Sequence, residues 1–322
     1  MPKAKLNGVE TYYEVHGQGL PVLLIHGGAG GPSSTLTSAV GGYPAEVFTG
    51  LFPLDRVQLT LYDRRSAGRS QYVLAPYTLF DLVRDAHSLT DLLGAKRSVV
   101  IGDSMGGPIS ILYALTYPQD TIALALVETS AALMSGTARP RGGSNLASQV
   151  ERARELGDRA FFEWRKDELR HPPDPPVLSM RENERVRFRR TYWRGYLEAL
   201  SRISDEDLYI YSTGSLRNME AAYGVDLRPR LAELRMPVLV VQGSQDEAVN
   251  PVSAEELRNG IPHAEVHVIE GGTQIIFAYS PFASSSCSCV PSSTISEESI
   301  TRIRSANLAE PSRCEIIKVV LS

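Results

Sequence analysis

The sequence predicts an α/β fold, in which a mostly parallel β-sheet carries helices on both faces. Short apolar runs recur along the chain, and stretches with apolar residues at helical spacing separate them. Several of these runs are continuously apolar, which is typical of parallel strands covered on both faces. One run leads through a tight, glycine-containing turn into an apolar helix. Together these observations indicate a large α/β core.

The predicted elements begin with a hairpin over residues 5–15, in which Asn7 and Gly8 form the turn. The next apolar run, residues 22–25, ends in the glycine-rich loop 26–31. This loop has neither the G-K-[ST] ending of a phosphate-binding loop nor a G-x-G-x-x-G pattern. We therefore expect its bare backbone N–H groups to face an oxyanion.

A further strand is predicted over residues 57–62, and a helix follows the capping-box sequence that begins at Thr78. Apolar residues recur at helical spacing between positions 82 and 93, and Gly94 ends this helix. The remaining predicted strands cover residues 97–101, 122–127, 236–243 and 264–269.

The turn after residues 97–101 reads Gly-Asp-Ser-Met-Gly and centres on Ser104. A strand, a G-x-S-x-G turn and a helix in this order place the serine on a sharp turn with its hydroxyl exposed. Gly102 and Gly106 supply the small flanking residues, and Gly107 is expected to let the helix pack close to the strand. Ser104 is therefore the candidate nucleophile. The alternative is a glycine-rich turn with an incidental serine.

The alternation stops between residues 130 and 234, where the sequence is helical and rich in charges of both signs. We predict that this segment is a helical lid inserted over the sheet edge, and that residues 1–129 and 235–281 form the core. Both tryptophans, Trp164 and Trp193, fall in the segment and are candidate substrate-binding residues. The alternative is a solvated helical insertion whose aromatic residues form a small core of their own.

Four motifs together make residues 8–281 resemble the α/β-hydrolase superfamily. They are residues 26–28 (His-Gly-Gly), the turn over residues 62–70, residues 102–106, and residues 243–246 (Gly-Ser-Gln-Asp). The resemblance implies the α/β-hydrolase fold, with nucleophile, acid and histidine in that chain order. The glycine-rich loop is similar to that of proline iminopeptidases, although Ala29 stands where those have proline. A serine nucleophile argues against the epoxide-hydrolase and haloalkane-dehalogenase branches, which use aspartate.

Carried over to this sequence, the resemblance implies a role for each of several residues. Ser104 would be the nucleophile, and Asp246, on the loop after the penultimate strand, would be the acid. Glu128 is a lesser candidate for the acid, and Asp246 could instead be a surface turn residue. The backbone N–H groups of Gly28 and Met105 would form the oxyanion hole, in which one donor contributes about 10²–10³ in rate.

The third role departs from the family pattern, because Gln274 occupies the position expected for the histidine. The family places that histidine in a Gly-x-x-His setting after the last strand, and here residues 271–274 read Gly-Gly-Thr-Gln. A glutamine amide can hydrogen-bond Ser104 and Asp246, but it cannot accept a proton near neutral pH. None of the six histidines is expected to replace it. Because the serine hydroxyl needs a base, we predict a hydrolase with impaired activity.

Residues 282–322 form an atypical tail. The family closes with an amphipathic helix, whereas this tail begins with a serine- and cysteine-rich run of poor helix formers. All three cysteines lie here, at Cys287, Cys289 and Cys314. Serine codons such as TCC, shifted by one base, read CTC for leucine. A frameshifted leucine-rich helix and a genuinely disordered serine-rich terminus are therefore the two open explanations.

Composition narrows the function classes further. The net charge of −4 over 322 residues argues against a nucleic-acid partner, and no run of about 18 apolar residues would span a membrane. The start lacks the apolar core of a signal peptide and the cysteines make no disulfide framework, so a cytoplasmic location is expected. No metal or cofactor is implied.

These inferences favour a hydrolase of a small ester or related acyl substrate, acting through an acyl-enzyme on Ser104. Within the enzyme class the alternatives are a proline-iminopeptidase-like aminopeptidase and a lactonase. Outside it, the alternative is a non-catalytic ligand-binding protein that keeps the fold and the pocket.

Overall fold

The computed structural model describes residues 3–28, 49, 52–132, 146–171, 194–246 and 249–270. The strands in these ranges are β1 (Lys3–Leu6), β2 (Val9–Gly17), β3 (Leu20–Ile25), β4 (Val57–Tyr62), β5 (Ser98–Asp103), β6 (Thr121–Val127), β7 (Val238–Gly243) and β8 (Glu265–Ile269). The α-helices are α1 (Leu79–Leu92), α2 (Gly106–Thr116), α3 (Leu146–Leu156), α4 (Asp158–Arg170), α5 (Arg194–Arg202), α6 (Asp205–Ala222) and α7 (Val252–Gly260). A 3₁₀-helix covers Arg228–Glu233.

The eight strands form one sheet in the order β1-β2-β4-β3-β5-β6-β7-β8. β2 pairs antiparallel with β1 and β4, and the other neighbouring strands pair parallel. The predicted α/β fold with a mostly parallel sheet is confirmed. The predicted hairpin turn is also present, since Asn7 and Gly8 have φ values of 46° and 85°. Two successive residues with positive φ are typical of tight hairpin turns.

The central strands are buried along their length, as their continuous apolar runs predict. Every residue of β6 and β7 is buried. Along β3, alternate side chains point to opposite faces of the sheet. Leu23 and Ile25 pack in one cluster with apolar residues of α1 and α2, whereas Val22 and Leu24 pack in a second cluster with residues of β4 and β5. The candidate site residues lie at the ends of these buried, closely packed strands.

Helices α3 to α6 lie between β6 and β7, within the segment predicted to be a lid. Val150, Phe161 and Leu216 of this segment belong to the same apolar cluster as the sheet residues. Phe162, Leu200 and Leu208 form a separate small cluster. The division into core and lid stays a prediction. No helix in the described ranges has both the length and the apolar character needed to cross a membrane.

Candidate active site

Ser104 lies at the junction of β5 and α2, in left-handed backbone conformation with φ of 46°. Such a φ is strained for a residue other than glycine, and it persists only where neighbouring contacts enforce it. The Ser104 N–H donates to the Val127 carbonyl at 3.0 Å. The Ser104 carbonyl accepts hydrogen bonds from the Gly107 N–H at 2.9 Å and from Thr129 Oγ1 at 2.5 Å. These three bonds fix the backbone of the turn that carries the serine.

Three glycines around Ser104 are required by close contacts. A Cβ atom on Gly102 would lie 2.1 Å from Ser110 Oγ of α2, and one on Gly106 would lie 2.0 Å from the carbonyl oxygen of the last β3 residue. On Gly107 it would lie 1.8 Å from Thr129 Oγ1. The expectation for Gly107 is therefore corrected: it makes room for the segment after β6, while Gly102 provides the close approach of α2 to its own strand.

The loop after β3 packs directly against Ser104. A Cβ atom on Gly27 would lie 2.9 Å from Ser104 Cβ and 2.7 Å from Asp103 Oδ2. Gly28 has φ of 76°, a conformation that favours glycine. On the other side, Met105 is the N-cap of α2, and no side chain caps that helix end. The two predicted oxyanion donors thus adjoin the Gly27–Ser104 contact, and their role remains a prediction.

Two buried side chains, Arg64 and His26, form hydrogen bonds with the backbone of this loop. The Arg64 guanidinium donates to the Gly27 carbonyl at 3.1 Å and to the Gly28 carbonyl at 2.8 Å. His26 Nδ1 lies 2.7 Å from the Gly27 carbonyl, and His26 Nε2 accepts the Arg64 backbone N–H at 3.1 Å. This pattern places the proton of a neutral His26 on Nδ1. Burial, with a further contribution from the Arg64 charge, lowers the pKa of His26 well below its usual range.

Asp246 follows β7 at the same edge of the sheet as Ser104. Asp103 is in register with Val127, and Val127 is in register with Val241. The ends of β5 and β7 therefore lie at the same level of the sheet, on either side of β6. The Asp246 carboxylate is buried and accepts the Val249 N–H at 2.8 Å and the Gln242 side-chain amide at 3.0 Å. Asp246 is therefore held by hydrogen bonds in the region where the resemblance implies the acid.

Asp103, directly before Ser104, is a second carboxyl group in this region. Burial raises its pKa to about 7; a hydrogen bond from the Gly27 N–H opposes the shift, and the negative charge of Asp246 adds to it. The positive charge of Arg64 acts in the opposite direction to Asp246. The two carboxyl groups are thus close enough to interact electrostatically, which links the β7 loop to the turn at Ser104.

The remaining predicted site residues are Glu128, the two tryptophans and Gln274. Glu128 is buried at the end of β6 with φ of 47°, and its N–H donates to the Val241 carbonyl at 2.8 Å. Trp164 is 57% exposed on α4, where it contacts Phe161 and Arg152. Trp193, Gln274 and the tail over residues 282–322 lie outside the described residues.

All six histidines fall in the described ranges, and His26 alone belongs to the loop beside Ser104. The others have partners elsewhere: His16 bonds Glu14, His87 bonds Asp120, His171 bonds Asp167, His263 bonds the Met236 carbonyl and His267 bonds Glu265. Whether one of them could act as a base for Ser104 stays a prediction. Within the same ranges, no three His, Cys, Asp or Glu side chains come together as a metal site.

Sequence reasoning did not assign roles to Arg64, Asp103 or Asn218. Asn218 Oδ1 accepts a hydrogen bond from Arg64 Nη1 at 3.2 Å, across 154 positions of sequence. Arg64 stands in one of the motifs that carry the family resemblance, and Asp103 directly precedes Ser104, so the sequence held a signal for both. Asn218 lies in the charged helical segment and had none.

The chain belongs to the alpha/beta hydrolase fold family, which matches residues 21–281. A proline iminopeptidase from Neisseria gonorrhoeae is 26% identical over 297 residues, which are 82% of this chain and 86% of that protein. RutD, an inferred carbamate hydrolase from Azorhizobium caulinodans, is 27% identical over 288 residues, which are 87% of this chain and 94% of that protein.

Solved structures give the same fold. An enol-lactonase from Burkholderia xenovorans superposes with a TM-score of 0.61 at 23% identity, covering 87% of this chain and 96% of that one. At this identity the likeness shows the fold alone. The family and its relatives establish a hydrolase of the α/β fold, and the substrate and the roles of single residues belong to the proposal below.

Proposed function

We propose that this chain is a serine hydrolase for a small ester or related acyl substrate, and that Gln274 limits its activity. Ser104 attacks the acyl carbonyl, the N–H groups of Gly28 and Met105 hold the oxyanion, and Asp246 is the acid of the triad. The observation that carries the proposal is the strained Ser104, with φ of 46° between β5 and α2. A serine fixed in this way beside backbone donors is what acyl transfer requires.

The spacing of the strands indicates what is missing. β5 and β7 are separated by β6, so their ends lie about 10 Å apart, twice the usual strand spacing. In a triad an imidazole spans the gap between Ser104 and Asp246, accepts the serine proton and hands it to the leaving group. Gln274 can contribute hydrogen bonds at its position but no proton transfer.

This deficit predicts a substrate preference. An amine leaving group must receive a proton, which the imidazolium supplies in a triad, whereas a p-nitrophenolate leaves without one. The chain should therefore hydrolyse activated esters slowly and amides hardly at all. The absence of a base thus favours an ester or acyl substrate over the peptide-type bond of an aminopeptidase.

Three other functions remain as candidates. A proline-iminopeptidase-like aminopeptidase is favoured by the relative of that name, which aligns with 82% of this chain. A non-catalytic ligand-binding protein is favoured by Gln274. The lactonase alternative is supported by a structural neighbour at 23% identity, and hence by the fold alone.

Acyl-enzyme formation tests the proposal. The full chain is mixed with p-nitrophenyl butyrate, p-nitrophenolate release is followed, and the protein is digested to locate the acyl group by mass spectrometry. We expect a slow burst of one equivalent and an acyl group on Ser104, and Ser104→Ala should lose both. A chain that melts cooperatively but never acylates Ser104 would indicate the ligand-binding function. Faster cleavage of a prolyl p-nitroanilide than of the ester would indicate the aminopeptidase.

A further inference from the structure

We propose that Arg64 is a positioning residue for the oxyanion hole: it pulls the carbonyls of Gly27 and Gly28 inward and so aims the Gly28 N–H at the reacting carbonyl. The catalytic meaning of this role depends on the function proposed above. The contacts of Arg64 with the two carbonyls do not depend on that function.

The contacts of Arg64 differ from those of its neighbour Arg65. Arg65 is buried and forms a bidentate ion pair with Asp85, with bonds of 2.6 and 2.7 Å. Arg64, which is 1% exposed, instead directs Nη2 at two backbone carbonyls, those of Gly27 and Gly28. A buried guanidinium is costly unless its donors are satisfied. Here the loop beside Ser104 provides two acceptors for Nη2, whereas the buried Nε has no hydrogen-bond partner among the described residues.

The direction of the Gly28 N–H follows from this contact. In a trans peptide unit the C=O and the following N–H point to opposite sides. The Gly27 carbonyl faces Arg64 and His26, so the N–H of Gly28 faces away from them. The Gly27 N–H is committed to the Asp103 carboxyl group, which leaves the next N–H along the loop as the donor suited to an oxyanion.

The position of the guanidinium is in turn fixed by the helical segment between β6 and β7. Asn218 of α6 is fully buried, and its Oδ1 accepts from Arg64 Nη1. Its amide nitrogen donates to the carbonyls of Arg65 at 3.0 Å and Ser66 at 3.4 Å. The side-chain oxygen of Asn218 therefore has one orientation, and Arg64 is held from both sides. A cation on the Gly27 carbonyl also polarises the peptide and strengthens its N–H as a donor.

The test compares Arg64→Lys with Arg65→Lys in the full chain, using glycine-selective ¹⁵N labelling. We expect Arg64→Lys to shift the Gly27 and Gly28 amide signals and to speed exchange of the Gly27 amide, which is hydrogen-bonded to the Asp103 carboxyl group, by at least about tenfold. Arg65→Lys removes a buried guanidinium group one position away and should leave both signals in place. Asn218→Ala should act like Arg64→Lys but more weakly, and it replaces that variant if the lysine chain does not fold.

Ester hydrolysis provides the second measurement. Arg64→Lys should lower kcat by about 10- to 10³-fold, up to the value of one oxyanion donor, with KM changed less than about twofold. Unchanged Gly28 signals in a folded Arg64 variant, or equal shifts in Arg65→Lys, would overturn the inference. If the signals respond as expected but no ester acylates Ser104, the positioning role stands and the proposed function fails.

Discussion

The turn at Ser104 and the helices between β6 and β7 are held in place by different forces. Around the turn close steric contacts add to the backbone hydrogen bonds, and Gly106 has no space for even a Cβ atom. Between the helices the contacts that stand out are charged. Arg217 of α6 is 6% exposed and donates to the Leu74 carbonyl at 2.7 Å, to Glu220 at 2.6 Å and to Asp158.

This difference explains which region could be read from the sequence. A steric demand at a tight turn selects glycine at fixed offsets, so it leaves a local pattern. The bonds of Arg217 to Asp158 and Leu74 span 59 and 143 positions and leave none. The two regions meet where Asn218 bonds Arg64, so the helical segment contributes to the site through a contact without any local signature.

The largest expected effect is on catalysis, from Gln274→His. If the steric turn alone preserves the site, an imidazole at this position should complete it, because Asp246 is already held at the same sheet edge. A positioned general base contributes about 10²–10⁴, so we expect kcat on a short-chain p-nitrophenyl ester to rise at least about 10²-fold. Steady-state kinetics of the purified variant measure this.

Ser104→Ala in the Gln274→His background is the control and should abolish the gain. A histidine variant that melts cooperatively but gains nothing on ester, lactone or aminoacyl substrates would contradict the prediction. The missing base would then not be the limiting defect, and the ligand-binding function would be favoured.

The second effect is on stability, from Gly106→Ala. The new Cβ would lie 2.0 Å from the carbonyl oxygen of Ile25, a backbone atom that cannot move without shifting β3. We expect the free energy of unfolding to fall by about 3 kcal/mol or more. Gly94→Ala is the matched control: Gly94 has φ of 69° but open space around it, so strain alone should cost about 1 kcal/mol. Urea unfolding of both variants gives the comparison, and equal losses would mean that the turn is not sterically determined.

Sequence reasoning recovered the sheet because its signals are local. The burial of β6 and β7 and the hairpin at Asn7 follow from runs and turns of a few residues. The position of Ser104 at a strand-to-helix turn also follows from a local signal, because the two flanking glycines lie only two positions away on either side. Arg64 was not recognised as a support of the loop because an arginine in a turn is usually solvated, and only tertiary structure brings it to Gly27 and Gly28.

The third effect concerns the charged region, through Arg217→Met. Methionine keeps much of the apolar stem but leaves Asp158 and Glu220 without their shared cation. Because hydrogen bonds to charged groups contribute about 1.5–3 kcal/mol, we expect a loss of about 2 kcal/mol in the free energy of unfolding. Asp205→Asn, at an exposed ion pair with Lys166 and Arg170, is the control and should leave the unfolding midpoint nearly unchanged.

If Arg217→Met loses more ester activity than its smaller folded fraction explains, the comparison between the turn and the helical region becomes sharper. Arg217 adjoins Asn218 in sequence, so such a loss would show that the charged region controls the site as well as the packing of the helices. Activity per folded molecule, taken from a titration of the acylated fraction, separates the two effects.

The last prediction tests whether an ionisable group contributes to holding the turn at Ser104, in addition to steric contacts and backbone hydrogen bonds. Asp103 has a pKa raised by burial from 3.8 to about 7, with Gly27, Asp246 and Arg64 as its polar neighbours. Between about pH 4 and 7 the folded chain keeps a proton that the unfolded chain has lost. The free energy of unfolding therefore falls as the pH rises, by up to about 1.4 kcal/mol per pH unit for this one proton.

Asp103→Asn keeps an acceptor for the Gly27 N–H but removes this titration. The stability of the variant relative to the natural chain should thus increase from about pH 4 to 7 and stay level above it. His26 has a lowered pKa and changes stability in the opposite direction, but it is present in both chains and cancels in the difference. Urea unfolding at half-unit pH intervals measures that difference, and Asp246→Asn, which removes a negative charge that raises the pKa of Asp103, should narrow the pH range over which it changes. A difference independent of pH would mean that Asp103 ionises as it does in the unfolded chain, and that its protonation does not contribute to holding the turn.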